Sequence, residues 1–225
     1  MTENPYSASP MPASAEAHDV NEGRLYVFIP VANLVTALTV MLSVHALLNV
    51  GSAVAGTLFH ITTSRTAAEM LQYAVIILAF LLLATAVVVS MFMYRANANV
   101  RALGATGLKI TPGWAAAYWY IPIANLFRPF AAMKEIYQAS RNPQAEAWKS
   151  IESPQSIGWW WGMWLTSNFA DNFLSRIPYD TGGTLELILG LTWISALATT
   201  IAALLLIKIV RGISAEQAKH TPQHI

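Results

Sequence analysis

The chain reads as an all-α polytopic membrane protein: four transmembrane helices plus a Pro-broken re-entrant or interfacial segment. Three observations carry that reading. First, the 225 residues are 55% hydrophobic and only 11% charged, less than half the roughly 25% charge of an average soluble domain. Second, the charges leave long gaps: none falls in the 40 residues between Arg24 and Arg65, the 25 from Met70 to Tyr94, or the 21 from Leu187 to Ile207. A helix crosses the hydrocarbon core with about 20 apolar residues. Third, a segment such as VIILAFLLLATAVVV (Val75–Val89) has no polar face, whereas a soluble core helix shows an apolar stripe beside one.

Residues 1–24 are polar, small and Pro-containing, with four acids and one base, and read as a disordered cytoplasmic tail. They lack the basic and short apolar regions of a secretory signal, so an uncleaved chain is expected. Residues 25–211 form the membrane domain. Span 1 is placed at about 26–50, with Gly51, Gly56 and the Thr-rich stretch His60–Thr66 as a connection. Span 2 covers about 71–94, and Tyr94-Arg95 is an interfacial stop. Span 3 starts at Ile157 with GWWWGMW, aromatics suited to a membrane interface, and ends near Phe173 before the turn Arg176–Gly183. Span 4 runs from about 185 to 207, followed by the anchors Lys208 and Arg211 and a polar tail, 212–225.

The stretch from Arg95 to Ser156 is the ambiguous one. Its charge-free run Ile110–Phe127 is interrupted by Pro112, Pro122 and Asn125. With four spans, eleven Lys and Arg share one side against Arg65 and Arg176 on the other; with five spans the split is seven against five. Basic residues concentrate on the cytoplasmic side, so four spans with both termini cytoplasmic are favoured, and five are the alternative. Gly113–Phe127 then becomes re-entrant or interfacial. The next stretch places Phe130, Met133, Ile136 and Tyr137 on one helix face and Lys134, Glu135, Gln138 and Arg141 on the other, the pattern of a helix lying in the headgroup plane. Tyr26–Leu34 (YVFIPVANL) and Tyr118–Leu126 (YWYIPIANL) echo each other, but the match stops there and reads as coincidence rather than a repeat.

The stretch from Tyr94 to Ser140 combines Y-R-x-x-x-N, R-A-L-G, T-P-G-W-A, a Trp/Tyr pair, I-P-I-A-N-L, R-P and M-K-E-I-Y. In these motifs, and in the Trp-rich start of span 3, the chain resembles a bacterial membrane-protein family known only as domain of unknown function 4328. The resemblance covers roughly residues 25 to 211 and implies a multi-helix membrane domain and no activity. Arg95, Asn99, Arg101, Asn125, Arg128 and Glu135 fall on its motif positions.

Polar side chains inside spans are functional candidates by default. His45, Asn49, Ser52 and Gly56 share a face of span 1; Asn168, Asp171, Asn172 and Ser175 share one of span 3; Glu186 opens span 4, where Thr192, Ser195 and Thr199 form a stripe. The sharp reading is a polar cavity with Asp171 or His45 as a proton or ion site. The plain one is hydrogen bonding between helices, averaging about 0.6 kcal/mol per contact. Asn125, Arg128 and Glu135 similarly read either as a ligand site or as pins for the broken segment.

The absence of Cys excludes disulfides and thiol chemistry. A net charge of +1 gives no electrostatic footprint for nucleic acid. Nucleotide-loop, nucleophile-elbow and zincin motifs are missing, and the five His lack metal-ligand spacing. Neither a cofactor nor a catalytic residue is expected. The expected surroundings are a bilayer, a bacterial inner membrane, and a protein partner or second copy. The leading function is a non-enzymatic scaffold, sensor or assembly factor; the alternative is a small transporter or channel subunit.

Overall fold

Pro30 has no backbone N–H and a fixed φ, and the chain stays irregular through Val31 before the first helix begins. The computed structural model describes residues 26–63, 65–144, 146–177 and 185–221. Six α-helices follow in order: α1 Ala32–Thr62, α2 Arg65–Ala102, α3 Pro112–Ala117, α4 Arg128–Arg141, α5 Gln155–Leu174 and α6 Leu185–Lys219. Short 3-10 turns at Tyr118–Tyr120, Ala124–Leu126 and Ala147–Ser150 fill the connections.

Three helices, α1, α2 and α6, are long and apolar enough to cross a membrane. At 1.5 Å per residue they measure about 46, 57 and 52 Å, well beyond a hydrocarbon core of about 30 Å. Helix α5 has 20 residues, enough for one crossing, but its four Trp and its Ser, Asn and Asp make it less apolar than those three.

The helices outrun the spans expected from charge and composition. Helix α1 does not break at Gly51 or Gly56 but continues to Thr62 and ends on Thr63, whose φ is +50°. A helical Gly costs only about 1 kcal/mol relative to Ala, too little to stop so apolar a helix. Helix α2 passes through Tyr94-Arg95 to Ala102. Residues 212–219, expected as a polar tail, continue α6, with Ile213 and Gln217 buried. The N-terminal tail and most of the turn expected at Arg176–Gly183 lie outside the described residues.

Helix α1 packs between α2 and α6, and α6 packs in turn on α5, giving the order α2–α1–α6–α5. The short helix α4 crosses one end of this row against α6, α2 and α5. Burial follows that end. Phe92 and Met93 of α2, Met133 and Ile136 of α4, Trp160 of α5 and Ile209 of α6 are all nearly inaccessible. On α2, by contrast, residues 68–84 include no buried side chain, and Tyr73, Phe80 and Leu83 stand well exposed. One end is therefore a packed core and the other a set of apolar helices open to their surroundings.

Candidate functional site

The packed end is organised by the last turns of α2, where Asn97, Asn99 and Arg101 follow one another. Residues two apart on a helix point about 200° apart, so Asn97 and Asn99 serve different neighbours. Asn99 is fully buried. Its Oδ1 accepts from the Ile29 amide at 3.0 Å, and its Nδ2 donates to Ile29 O at 2.9 Å and Gln217 Oε1 at 3.0 Å. Gln217 Nε2 donates onward to Ala96 O and to Ser140 Oγ, both at 3.0 Å. One side-chain pair thus ties together the chain before α1 and the helices α2, α4 and α6.

On the other side, Asn97 Nδ2 donates to Ile110 O at 3.0 Å, and Arg101 Nε donates to Asn97 Oδ1 at 3.2 Å. The Arg101 guanidinium also reaches Leu108 O and Ile110 O at 3.3 and 3.2 Å. Across from it, Glu135 accepts the amides of Lys109 and Ile110 at 3.0 and 3.1 Å. Burial pushes the Glu135 carboxyl above the usual carboxylate range, while those two amides and the charges of Arg101 and Lys109 pull the other way.

From Thr111 the chain climbs alongside α2. Thr111 Oγ1 accepts from the Trp114 amide at 3.4 Å and starts α3. Tyr120 then places its hydroxyl 2.9 Å from Ser90 Oγ and donates to Ala86 O at 3.3 Å. Ser90 lies five residues before Arg95, about 7.5 Å along the helix, so the segment dips beside the apolar run of α2. Trp161 Nε1 holds its return by donating to Leu126 O at 3.1 Å. Around that anchor Trp119 meets Trp160, Trp161 and Trp164 at 5.8–6.3 Å between ring centroids.

The expected site residues scatter. Only Glu135 enters the polar cluster; it is not on a solvent face, and its helix rests its apolar side on protein. Arg128 is exposed and lies over the Tyr118 ring at 5.6 Å. The Asn125 Oδ1 and Trp119 Nε1 atoms are buried without a partner among the described residues. Asn49 Nδ2 donates to His45 O, and Asn168 Nδ2 to Trp164 O, each on its own helix. Ser52, Ser175 and Thr192 do likewise. His45 is half-buried on α1 and Asp171 exposed on α5. Asn172 faces an open groove with Phe169, Phe173 and Arg176.

Composition gave no warning of Asn97, Ser140 and Gln217. Gln217 had a readable signal: it continues the buried stripe Ala202, Leu206, Ile209, Ile213 of α6 at helical spacing. Among the described residues no group of three His, Asp or Glu is arranged to hold a metal. Ten of the twelve described Lys and Arg lie at the packed end, against the acids Glu135, Glu146, Glu152 and Glu216. That end is therefore basic.

No curated protein and no solved structure matches the chain. A family model described as "Domain of unknown function (DUF4328)" matches residues 55–215, which hold the clasp of Arg101 and Glu135, the dipping segment and the Trp cluster. On that match the chain belongs to the DUF4328 family.

Proposed function

We propose that this chain is a four-span integral membrane protein of a bacterial inner membrane, with α1, α2, α5 and α6 as spans and the basic end in the cytoplasm, and that it works as a non-enzymatic scaffold or assembly platform. The observation carrying this reading is the polar lock at the basic end. Asn99, Gln217 and Ser140 fix α2, α4 and α6 together, giving a rigid surface for a protein partner or a second copy. The concentration of bases there agrees with the positive-inside rule and suits a leaflet of anionic lipids. Inside the spans, Asn49, Asn168 and Thr192 spend hydrogen bonds on their own helices, and Trp193 of α6 donates to Thr57 Oγ1 of α1 at 3.1 Å, which favours a structural role over a solute path.

The chain contains no Cys, so single cysteines report topology cleanly. With an impermeant maleimide on intact cells, cysteines replacing Thr66 and Ser175 label, and those replacing Glu152 and Lys219 label only after permeabilisation. Labelling of positions 66 and 175 from opposite sides sinks the four-span reading. A stoichiometric complex in mild detergent supports the platform; a protein that stays single in detergent and in the membrane opposes it.

The transporter or channel reading keeps one observation in its favour, a half-buried His45 within the apolar helix α1, with Asp171 as its candidate acidic partner on α5. Under it, His45→Ala and Asp171→Ala abolish proton or ion flux in liposomes. Unchanged flux removes it.

A further inference from the structure

We propose that the returning limb of the dipping segment is a phospholipid headgroup site, with Arg128 binding the phosphate of an anionic lipid and Ile123 and Phe127 lying along its acyl chain. This rests on the membrane reading above and adds a named ligand class to it. Three features meet at the segment. Arg128 sits over Tyr118 at 5.6 Å, and Tyr118 is itself stacked on Trp114 at 5.3 Å and 25°. The guanidinium is thereby held in place, and it makes no hydrogen bond or ion pair to any described residue. Its N–H donors are unspent. Five N–H groups in a planar fork match a phosphate's oxygens.

The chain leading into Arg128 carries exposed apolar side chains: Ile123 is 79% accessible and Phe127 67%. A soluble protein gains nothing by exposing such side chains beside a cation. At a bilayer surface the combination is favourable, because the acyl region covers the apolar groups while the cation stays at headgroup depth. Tyr120, a few residues away, fixes that depth by bonding to Ser90 and Ala86 on the apolar run of α2. The nearest acid along α4, Glu135, is buried and committed to the amides of Lys109 and Ile110. An incoming phosphate therefore meets no competing carboxylate from α4.

The test uses the full chain extracted in mild detergent and titrated with phosphatidylglycerol or phosphatidylcholine under native mass spectrometry. The wild type retains one phosphatidylglycerol in preference to phosphatidylcholine. Arg128→Gln weakens that retention by roughly tenfold or more, the range for a charge-assisted hydrogen-bonded contact. Lys134→Gln, which removes an exposed base elsewhere on α4, leaves it intact. Excess inorganic phosphate does not displace the lipid. The proposal is overturned if Arg128→Gln retains phosphatidylglycerol as the wild type does, if both variants weaken it equally, or if free phosphate replaces it. Resistance of both variants to alkaline carbonate extraction keeps the membrane reading standing in any of these cases; loss of wild-type resistance defeats that reading itself.

Discussion

Glu135 and Arg101 grip one short stretch of chain from opposite sides. The carboxylate takes the amides of Lys109 and Ile110, and the guanidinium gives to the carbonyls of Leu108 and Ile110. Together they provide what a neighbouring strand provides in a sheet. Buried backbone groups must find partners, and here two side chains from two helices supply them. The clasp matters because Thr111 follows at once, so its grip sets where the dipping segment leaves α2.

The clasp has a pH signature. Burial raises the Glu135 pKa above the ordinary glutamate range, so between those two values the folded protein holds a proton that the unfolded chain has released. Stability then falls as pH rises through this window and levels off above it. Glu135→Gln removes that slope. In thermal unfolding followed from acid toward neutral pH, the wild type declines relative to Glu135→Gln. A wild type that instead gains stability over this range would show that the amide bonds and Arg101 outweigh burial.

The lock between Asn99 and Gln217 is the larger stability element. Asn99→Ala leaves Gln217 Oε1 without its partner in a buried site, and the Ile29 amide and carbonyl without theirs in a part-buried one. Each unsatisfied group costs about 1–3 kcal/mol, so a loss of about 3 kcal/mol is expected, read as a fall in unfolding temperature in detergent. Gln217→Ala acts through the same network. The double variant should lose less than the two singles combined, by about 1 kcal/mol or more. Strict additivity would mean that the two residues do not act as a unit.

The apolar helices were legible in the sequence and their ends were not, for one physical reason. Runs such as Val75–Val89 declare themselves because only lipid or a deep core tolerates them. The charges that follow, Arg95 and Lys208, mark where the apolar run stops, not where the helix does. Beyond them Asn97 and Asn99 fall in the expected connection and Gln217 in the expected polar tail, yet all three are buried where α4 crosses the ends of α2 and α6. Glu135 misled in the same way. Its grouping with Lys134, Gln138 and Arg141 suggested the polar face of a helix in the headgroup plane, and its partners are backbone amides that no side-chain pattern reveals. The broken segment was visible from Pro112, Pro122 and Pro129, but its anchors Tyr120 and Trp161 were not, since one hydroxyl and one indole among many aromatics carry no distinguishing spacing.

Gly104 closes α2 with φ +107°, and a Cβ there would stand 3.3 Å from Pro143 O. L side chains rarely adopt that backbone region, and forcing one to do so costs about 1–3 kcal/mol. Gly104→Ala should therefore lower the unfolding temperature. Gly113→Ala, where an added Cβ meets nothing within 4 Å, should stay within about 0.5 kcal/mol of the wild type. Equal effects at both positions would remove the backbone argument.

Tyr120 and Trp161 pin the dipping segment at its two limbs, and each can lose its polar atom without losing its ring. Tyr120→Phe deletes the hydroxyl that meets Ser90 and Ala86 on α2. Trp161→Phe deletes the indole N–H that holds Leu126 O. Each loss is worth about 1 kcal/mol, which raises the open population of the segment about fivefold without unfolding the helices. Amide exchange in lipid nanodiscs should therefore quicken across residues 118–127 and stay unchanged in α1 and α6. The two variants are expected to differ in where the effect falls, Tyr120→Phe loosening the limb toward α3 and Trp161→Phe the limb toward α4. If both leave exchange at 118–127 as it was, the aromatic packing of Trp119 against α5 holds the segment by itself, and the two hydrogen bonds only choose its orientation.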